Sequence, residues 1–241
     1  MEEEINDIYQ FFEELKDLHR LHLVTKDFKH IIEYEPGSWK MFEPSKFVYA
    51  YFAFNTFYNF DWVESVKNKR LTLFSKVVRD GKEEEPSERY KFKAMIDFIF
   101  NYNTDDERIE FVHFIKRPNK RENPIPNQIL IDCISGITPD KKISESKRED
   151  FIKEFIKLIE TESLIEGKIK NEIVGFIYLV RNNIFHGTKT TIEMSDKNQR
   201  KRLDIYSAIL IGINELLFKS LERILQLKFD KNYKLNLNDR N

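Results

Sequence analysis

Apolar residues recur three and four positions apart over most of the chain, the spacing that gathers side chains on one face of an α-helix. Between Glu3 and about Leu23, Ile5, Ile8, Phe12, Leu15 and Leu18 form one such stripe. From Pro44 to about Val66 the pattern is apolar almost all round: Phe47, Tyr51, Phe54, Tyr58 and Trp62 make one stripe, Val48 and Phe52 a second. A helix with two apolar faces is expected at the centre of a fold. Shorter amphipathic stretches run from Ser87 to about Asn101, with Phe92, Met95, Ile96 and Ile99 inward, and from Asp105 to Ile115. The hydrophobic stretch Leu71 to Val78 suits either a strand or a helix.

Three more helices are expected in the last hundred or so residues. One runs from about Lys147 to Thr161 with Ile152, Phe155, Ile156 and Ile159 inward. A second runs from about Lys168 to His186 and stops at Gly187, a residue suited to the position just past a helix. The third starts near Ser195 and reaches about Leu227, with Leu203, Tyr206, Leu210, Ile213, Leu217, Ile224 and Leu227 close to a 3–4 repeat. Start signals agree with this layout. Thr104-Asp105-Asp106-Glu107 and Ser146-Lys147-Arg148-Glu149 both fit the capping box, in which a hydroxyl and a carboxylate satisfy each other's free N–H groups. The prolines all fall between Pro36 and Pro139, so the remainder is free to run as long helices. The fold class is therefore all-α: a helical bundle over 44–230, preceded by a helical extension (1–43), interrupted by a helical and loop insertion at about 104–145, and followed by a tail (231–241).

Charge changes the picture in one respect. The 40 Lys and Arg are balanced by 41 Asp and Glu, which excludes a strongly basic whole-body nucleic-acid binder and confines any polyanion contact to a local patch. A single cysteine, Cys133, leaves no internal disulfide and no Cys-based zinc site, as expected of a reducing cytoplasm. The acidic start lacks an apolar leader, and no apolar run approaches the ~20 residues of a membrane span. A cytoplasmic protein without a membrane partner is expected.

The densest polar cluster lies at the end of an apolar helix, in Val180-Arg181-Asn182-Asn183-Ile184-Phe185-His186-Gly187. At about 100° per residue, the core stripe is Ile169, Ile173, Phe176, Ile177, Val180 and Ile184, and Arg181, His186 and Asn182 turn roughly 90°, 130° and 170° away from its centre. Tyr178 and Phe185, on the same outer arc, would be left wet in a lone bundle. A second copy across a two-fold axis would bury them and bring two Arg/His sets into one cleft. It would also ease the convergence of Arg181 and His186, as would the length of Arg181 or a frayed last turn. At a helix carboxyl end the macrodipole favours the imidazolium of His186. An arginine that grips phosphate oxygens beside a proton-transferring histidine suffices for RNA cleavage by 2′-hydroxyl attack without a metal.

The Arg-Asn-x-x-x-His arrangement of Arg181 to His186, with Gly187 and the long final helix after it, resembles the HEPN superfamily (higher eukaryotes and prokaryotes nucleotide-binding domain). The aromatic helix with Ala53-Phe54-Asn55-Thr56-Phe57-Tyr58 is similar to an early helix of many bacterial and archaeal members. The resemblance spans roughly Pro44 to Leu227, although 100 or so residues in the middle match only in being helical. It implies a metal-independent endoribonuclease of a toxin–antitoxin or defence system, acting on RNA as a homodimer, with no cofactor and with an antitoxin or defence-system partner. Arg181 and His186 would then be the catalytic pair and Asn182 the polar helper. Thr188 stands where nucleotidyltransferase-paired members often carry Tyr, which argues against inactivation by tyrosine modification. The alternative is a non-catalytic HEPN interaction or nucleotide-binding module.

Two basic clusters have the form of phosphate-tracking sites on a neutral protein. Lys116, Arg117, Lys120 and Arg121 lie in a Pro-containing segment expected at the surface, and Lys197, Arg200, Lys201 and Arg202 open the final helix; Lys189 follows the motif. Asn55, a lone amide on the aromatic helix, is expected to pair with backbone or a neighbouring helix, or else to support the Arg181 site with Tyr58. His19 and His22, with Asp27 and His30 beyond, lack a third ligand at a firm spacing and make no metal site. His113, among Phe111, Phe114 and Ile115, reads as a structural histidine.

Overall fold

The computed structural model describes residues 2–26, 42–59, 77–79, 82–84, 87, 91, 103–117, 123–136, 145–161, 176, 180, 181, 184, 193 and 196–225. Helices α1 (Glu2–Lys26), α2 (Phe42–Asn59), α3 (Asp105–Lys116), α4 (Asn127–Ser135), α5 (Glu145–Thr161) and α6 (Lys197–Leu225) account for most of them. One antiparallel hairpin, β1 (Val77–Arg79) with β2 (Lys82–Glu84), pairs Val77 with Glu84 and Arg79 with Lys82. The expected all-α class is what the chain forms. Of the stretch Leu71 to Val78, only its last two residues are described, and they are strand.

The bundle is organised around α6, which packs on α1, α2, α3 and α4. Between Leu203 and Leu221 it is buried nearly all round, with Ile205, Ile209, Ile211, Leu216 and Phe218 inward besides the expected stripe. Each such side chain contributes about 1.5–3 kcal/mol by leaving water. The centre is thus α6 rather than α2. On α2, Phe47, Ala50, Tyr51, Ala53 and Phe54 are buried, whereas of the second stripe Val48 is half-buried and Phe52 is 45% exposed, beside Tyr49 at 42%. Uniform apolarity left two faces to choose from, and packing against α1 and α6 used one. Helix α1 packs on both α2 and α6, with Leu15 and Leu18 in the common core.

Buried polar groups fix the register of these contacts. The Asn214 side chain of α6, fully buried, donates from Nδ2 to the Ala50 carbonyl of α2 at 3.0 Å. Gly212 lets α3 approach α6: a Cβ there would meet ring carbons of Phe111 at 2.7 and 2.9 Å. The capping box at α3 forms as its sequence requires. Thr104 Oγ1 accepts from the Glu107 N–H, and the Thr104 N–H donates to Glu107 Oε2 at 2.9 Å. Glu107 also receives Arg223 of α6 at 2.9 Å and Asn103 at 3.1 Å, and Asn103 reaches the Leu216 carbonyl. Burial would raise the Glu107 carboxyl, but these hydrogen bonds and the Arg223 charge hold it below its usual value. Helix α5 begins at Glu145, so Ser146 stands inside its first turn instead of capping it.

Helix α4 packs on α5 and α6 through Leu130, Cys133 and Ile134, and the Tyr206 hydroxyl of α6 donates to the Cys133 carbonyl at 2.9 Å. Burial pushes the Tyr206 phenol up, and it pushes the Cys133 thiol up with Lys201 and Arg202 only partly offsetting it. Both therefore stay protonated at neutral pH.

Candidate functional site

The helix that carries Arg181 is anchored by Phe176. Its ring lies 6.0 Å from Phe155 of α5 and 5.2 Å from Tyr206 of α6, the latter edge-on, a geometry favoured by the aromatic quadrupole. Residues 176, 180, 181 and 184 are helical. Phe176 and Val180 are buried, and Ile184 packs against the core partly buried. Three members of the expected core stripe therefore face inward together. Arg181 follows Val180 by about 100° of helix and is half-buried at the flank of the bundle. Asn182, His186, Gly187, Lys189, Tyr178 and Phe185 lie outside the described residues.

The basic opening of α6 is held by a cap that the sequence reading overlooked. Asp196 Oδ1 accepts from the backbone N–H groups of Asn198 and Gln199 at 2.9 and 3.1 Å, and its carbonyl accepts from Arg200 N–H. A carboxylate at the positive helix end offsets the cost of placing cations there. Lys197 and Lys201 are exposed and Arg200 is half-buried. Arg202 is committed elsewhere: its guanidinium lies over Gly136, the C-cap of α4, where an added Cβ would stand 2.5 Å from Nη2. A cation against a helix carboxyl end is favourable, so Arg202 joins α6 to α4.

The other basic cluster divides in a similar way. Arg117 is exposed, but Lys116 is only 9% exposed, a buried residue where a surface cation was expected. The Ile125 N–H donates to the Lys116 carbonyl at 2.7 Å, and Ile125 is itself buried in the core. Lys120 and Arg121 lie outside the described residues. His113 is exposed in the last turn of α3. Asn55 is half-buried on α2, and the Tyr58 side chain is outside the description.

The polar cluster best defined by geometry joins α1 to α6. His22 Nε2 and Lys26 Nζ both donate to Glu215 Oε2, at 2.8 and 2.9 Å. His19 packs edge-on to Phe218 at 4.8 Å. His19 and His22 are three apart on α1, but Glu215 is 193 residues from His22 and nothing local pairs them. Among the described residues no group of three or more His, Cys, Asp or Glu is placed to hold a metal, and no helix is long and apolar enough to cross a membrane.

No family model matches the chain, and no curated protein or solved structure matches it either.

Proposed function

We propose that the chain is a HEPN-type endoribonuclease, acting in the cytoplasm as a homodimer within a toxin–antitoxin or defence system. The 2′-hydroxyl oxygen of the substrate attacks the adjacent phosphorus, the bond to the 5′ oxygen breaks, and a 2′,3′-cyclic phosphate and a 5′-hydroxyl result. Arg181 holds the non-bridging oxygens as charge builds on them, His186 transfers the proton, and Asn182 orients one of the two. No metal is required for this route. DNA, without the 2′-hydroxyl, is not a substrate.

The observation that supports this reading is the rotational setting of the Arg181 helix. Phe176, Val180 and Ile184 take the core side, so the arginine is carried half-buried at the flank of the bundle. That is the positioning a phosphate clamp needs, because small displacements of a catalytic group reduce rate steeply. Exposed Lys197 and Lys201 at the start of α6 supply positive charge suited to the backbone of a single strand.

The test is incubation of the full chain with a mixed RNA pool in EDTA, beside Arg181→Ala and His186→Ala. Wild type should yield fragments ending in cyclic phosphate, and each variant should lose cleavage by about 10²-fold or more. Equal survival of the RNA in all three samples would overturn the nuclease reading and favour the non-catalytic HEPN module.

A further inference from the structure

Two histidines of α1 close over one ring of α6. Phe218 stands 4.8 Å from the His19 ring and 5.1 Å from the His22 ring, and the two imidazoles are 6.3 Å apart. All three side chains are buried, His22 almost completely. Beside them, Glu215 Oε2 of α6 accepts from both His22 Nε2 and Lys26 Nζ. The remaining ring nitrogen, His22 Nδ1, is enclosed without a hydrogen-bond partner. This contact between α1 and α6 accommodates a neutral His22 and has no place for a second ring proton.

A proton added to Nδ1 would be buried with neither water nor an acceptor, an arrangement that costs free energy. The charged groups nearby do not offset it. Glu215 is already matched by Lys26. His19 on the same helix and Lys46, buried on α2, can add only positive charge. The α3 carboxylates Glu110 and Glu107 are engaged by Lys219 and Arg223 of α6. Burial consequently outweighs the Glu215 interaction and holds docked His22 below the ordinary histidine value. A group that takes up a proton more readily when α1 stands away from α6 drives that separation as pH falls.

Helix α1 is placed to move without dismantling the rest. It precedes the other helices in the chain and packs on α2 and α6. Among the described residues it lends Leu15 and Leu18 to the apolar core, whereas α2 to α6 and the Arg181 helix supply all the other members. Local opening falls first on elements that share least of the core.

We propose that α1 is an acid-sensitive latch: a proton on His22 releases the end of α1 from α6 and uncovers Phe218, while α2 to α6 stay folded. The latch does not depend on the Arg181 motif.

Amide hydrogen exchange of the full chain from about pH 7.5 to about pH 5, corrected for the intrinsic pH dependence of exchange, tests it. Protection of α1 between Leu15 and Lys26 should fall by up to about tenfold per pH unit once the pH drops below 6.5. It should level off where the His22 ring itself titrates in an NMR experiment on wild type, a reading that needs no variant. Amides of α6 between Ile205 and Ile211 should keep their protection. His22→Gln retains a donor for Glu215 but cannot titrate, so its α1 protection should be independent of pH. His19→Gln should preserve the pH response. The proposal is overturned by an α1 response that persists in His22→Gln or disappears in His19→Gln, by parallel losses in α1 and α6, or by no response in wild type.

Discussion

His22 Nε2 stands 2.8 Å from Glu215 Oε2, and the same oxygen accepts from Lys26 Nζ at 2.9 Å. One carboxylate thereby ties the last turns of α1 to the middle of α6. Burial opposes a charge on His22, and the Glu215 partner only partly offsets it, so the imidazole sits below its ordinary value. For Glu215, burial acts upward, but the hydrogen bond from His22 and the ammonium of Lys26 outweigh it and hold the carboxyl well below the usual range. A charged His22 would strengthen the pair, yet His22 Nδ1 is buried with no hydrogen-bond partner. A proton there would have no acceptor. The neutral ring donating through Nε2 is the form that fits, and Lys26 supplies the cation.

Stability should consequently fall in acid in two stages. With His22 depressed below 6.5, the unfolded chain binds the extra proton first, and the free energy of unfolding declines as pH drops from 6.5 toward the folded-state value. Glu215, depressed from 4.5, adds its own loss as pH falls below 4.5. Chemical denaturation of wild type and His22→Gln from pH 8 down to about pH 2 checks this. Glutamine keeps an N–H donor but does not titrate, so the upper stage should vanish while the lower persists; an unchanged profile would show that His22 is not the group responsible.

Gly212→Ala tests how closely α3 and α6 approach. Alanine favours helix over glycine by about 1 kcal/mol, but its methyl would enter the Phe111 ring, with contacts of 2.7 and 2.9 Å. Overpacking of that kind costs about 1–3 kcal/mol, and Phe111 is buried with little room to shift. The net expected result is destabilisation by about 1 kcal/mol in urea unfolding. Adding Phe111→Leu should recover part of it, because the obstructing ring carbons are gone.

The helices were legible where one spacing dominates. The stripe Leu203, Tyr206, Leu210, Ile213, Leu217 placed α6, and Thr104 with Glu107 marked the start of α3 to the residue. Sequence failed where periodicity offers two solutions, as on α2, whose aromatic faces are equivalent until α1 and α6 cover one. It failed again for polar residues whose partners are remote: nothing near His22 indicates Glu215, and nothing near Arg202 indicates Gly136. At the candidate site, the core face of the Arg181 helix could be read from Phe176, Val180 and Ile184.

Lys201 and Arg202 are adjacent cations with different predicted roles. Lys201 is exposed, so Lys201→Ala should leave stability within about 0.5 kcal/mol of wild type. If it tracks a phosphate of single-stranded RNA, the slope of log affinity against log salt should shrink by about 0.7. Arg202→Ala removes the guanidinium lying over Gly136, and an unfolding curve should show a loss of about 0.5–2 kcal/mol. Equal effects of the two substitutions on both measurements would refute the division.

The Phe155, Phe176, Tyr206 and Cys133 contacts make a chain from α5 through the Arg181 helix to α6 and α4, and its two kinds of link separate by substitution. Tyr206→Phe keeps the ring 5.2 Å from Phe176 and deletes the hydroxyl that donates to the Cys133 carbonyl at 2.9 Å. A loss of about 1 kcal/mol is expected, with a further penalty for the bare carbonyl. The packing beside Arg181 is untouched, so the RNA cleavage proposed above should persist at near wild-type rate where the variant is fully folded. Phe176→Ala instead opens a cavity between α5 and α6, costing about 3–5 kcal/mol, and frees the helix to settle inward. Phe176→Leu, which retains most of the volume, should fold more readily than Phe176→Ala, yet its altered shape shifts Arg181 relative to the bundle. Cleavage by folded Phe176→Leu should fall about tenfold or more with substrate binding less affected, as expected when a clamp is displaced by a fraction of an ångström. If folded Phe176→Leu cleaves RNA as well as Tyr206→Phe does, then Phe176 stabilises the bundle without positioning Arg181.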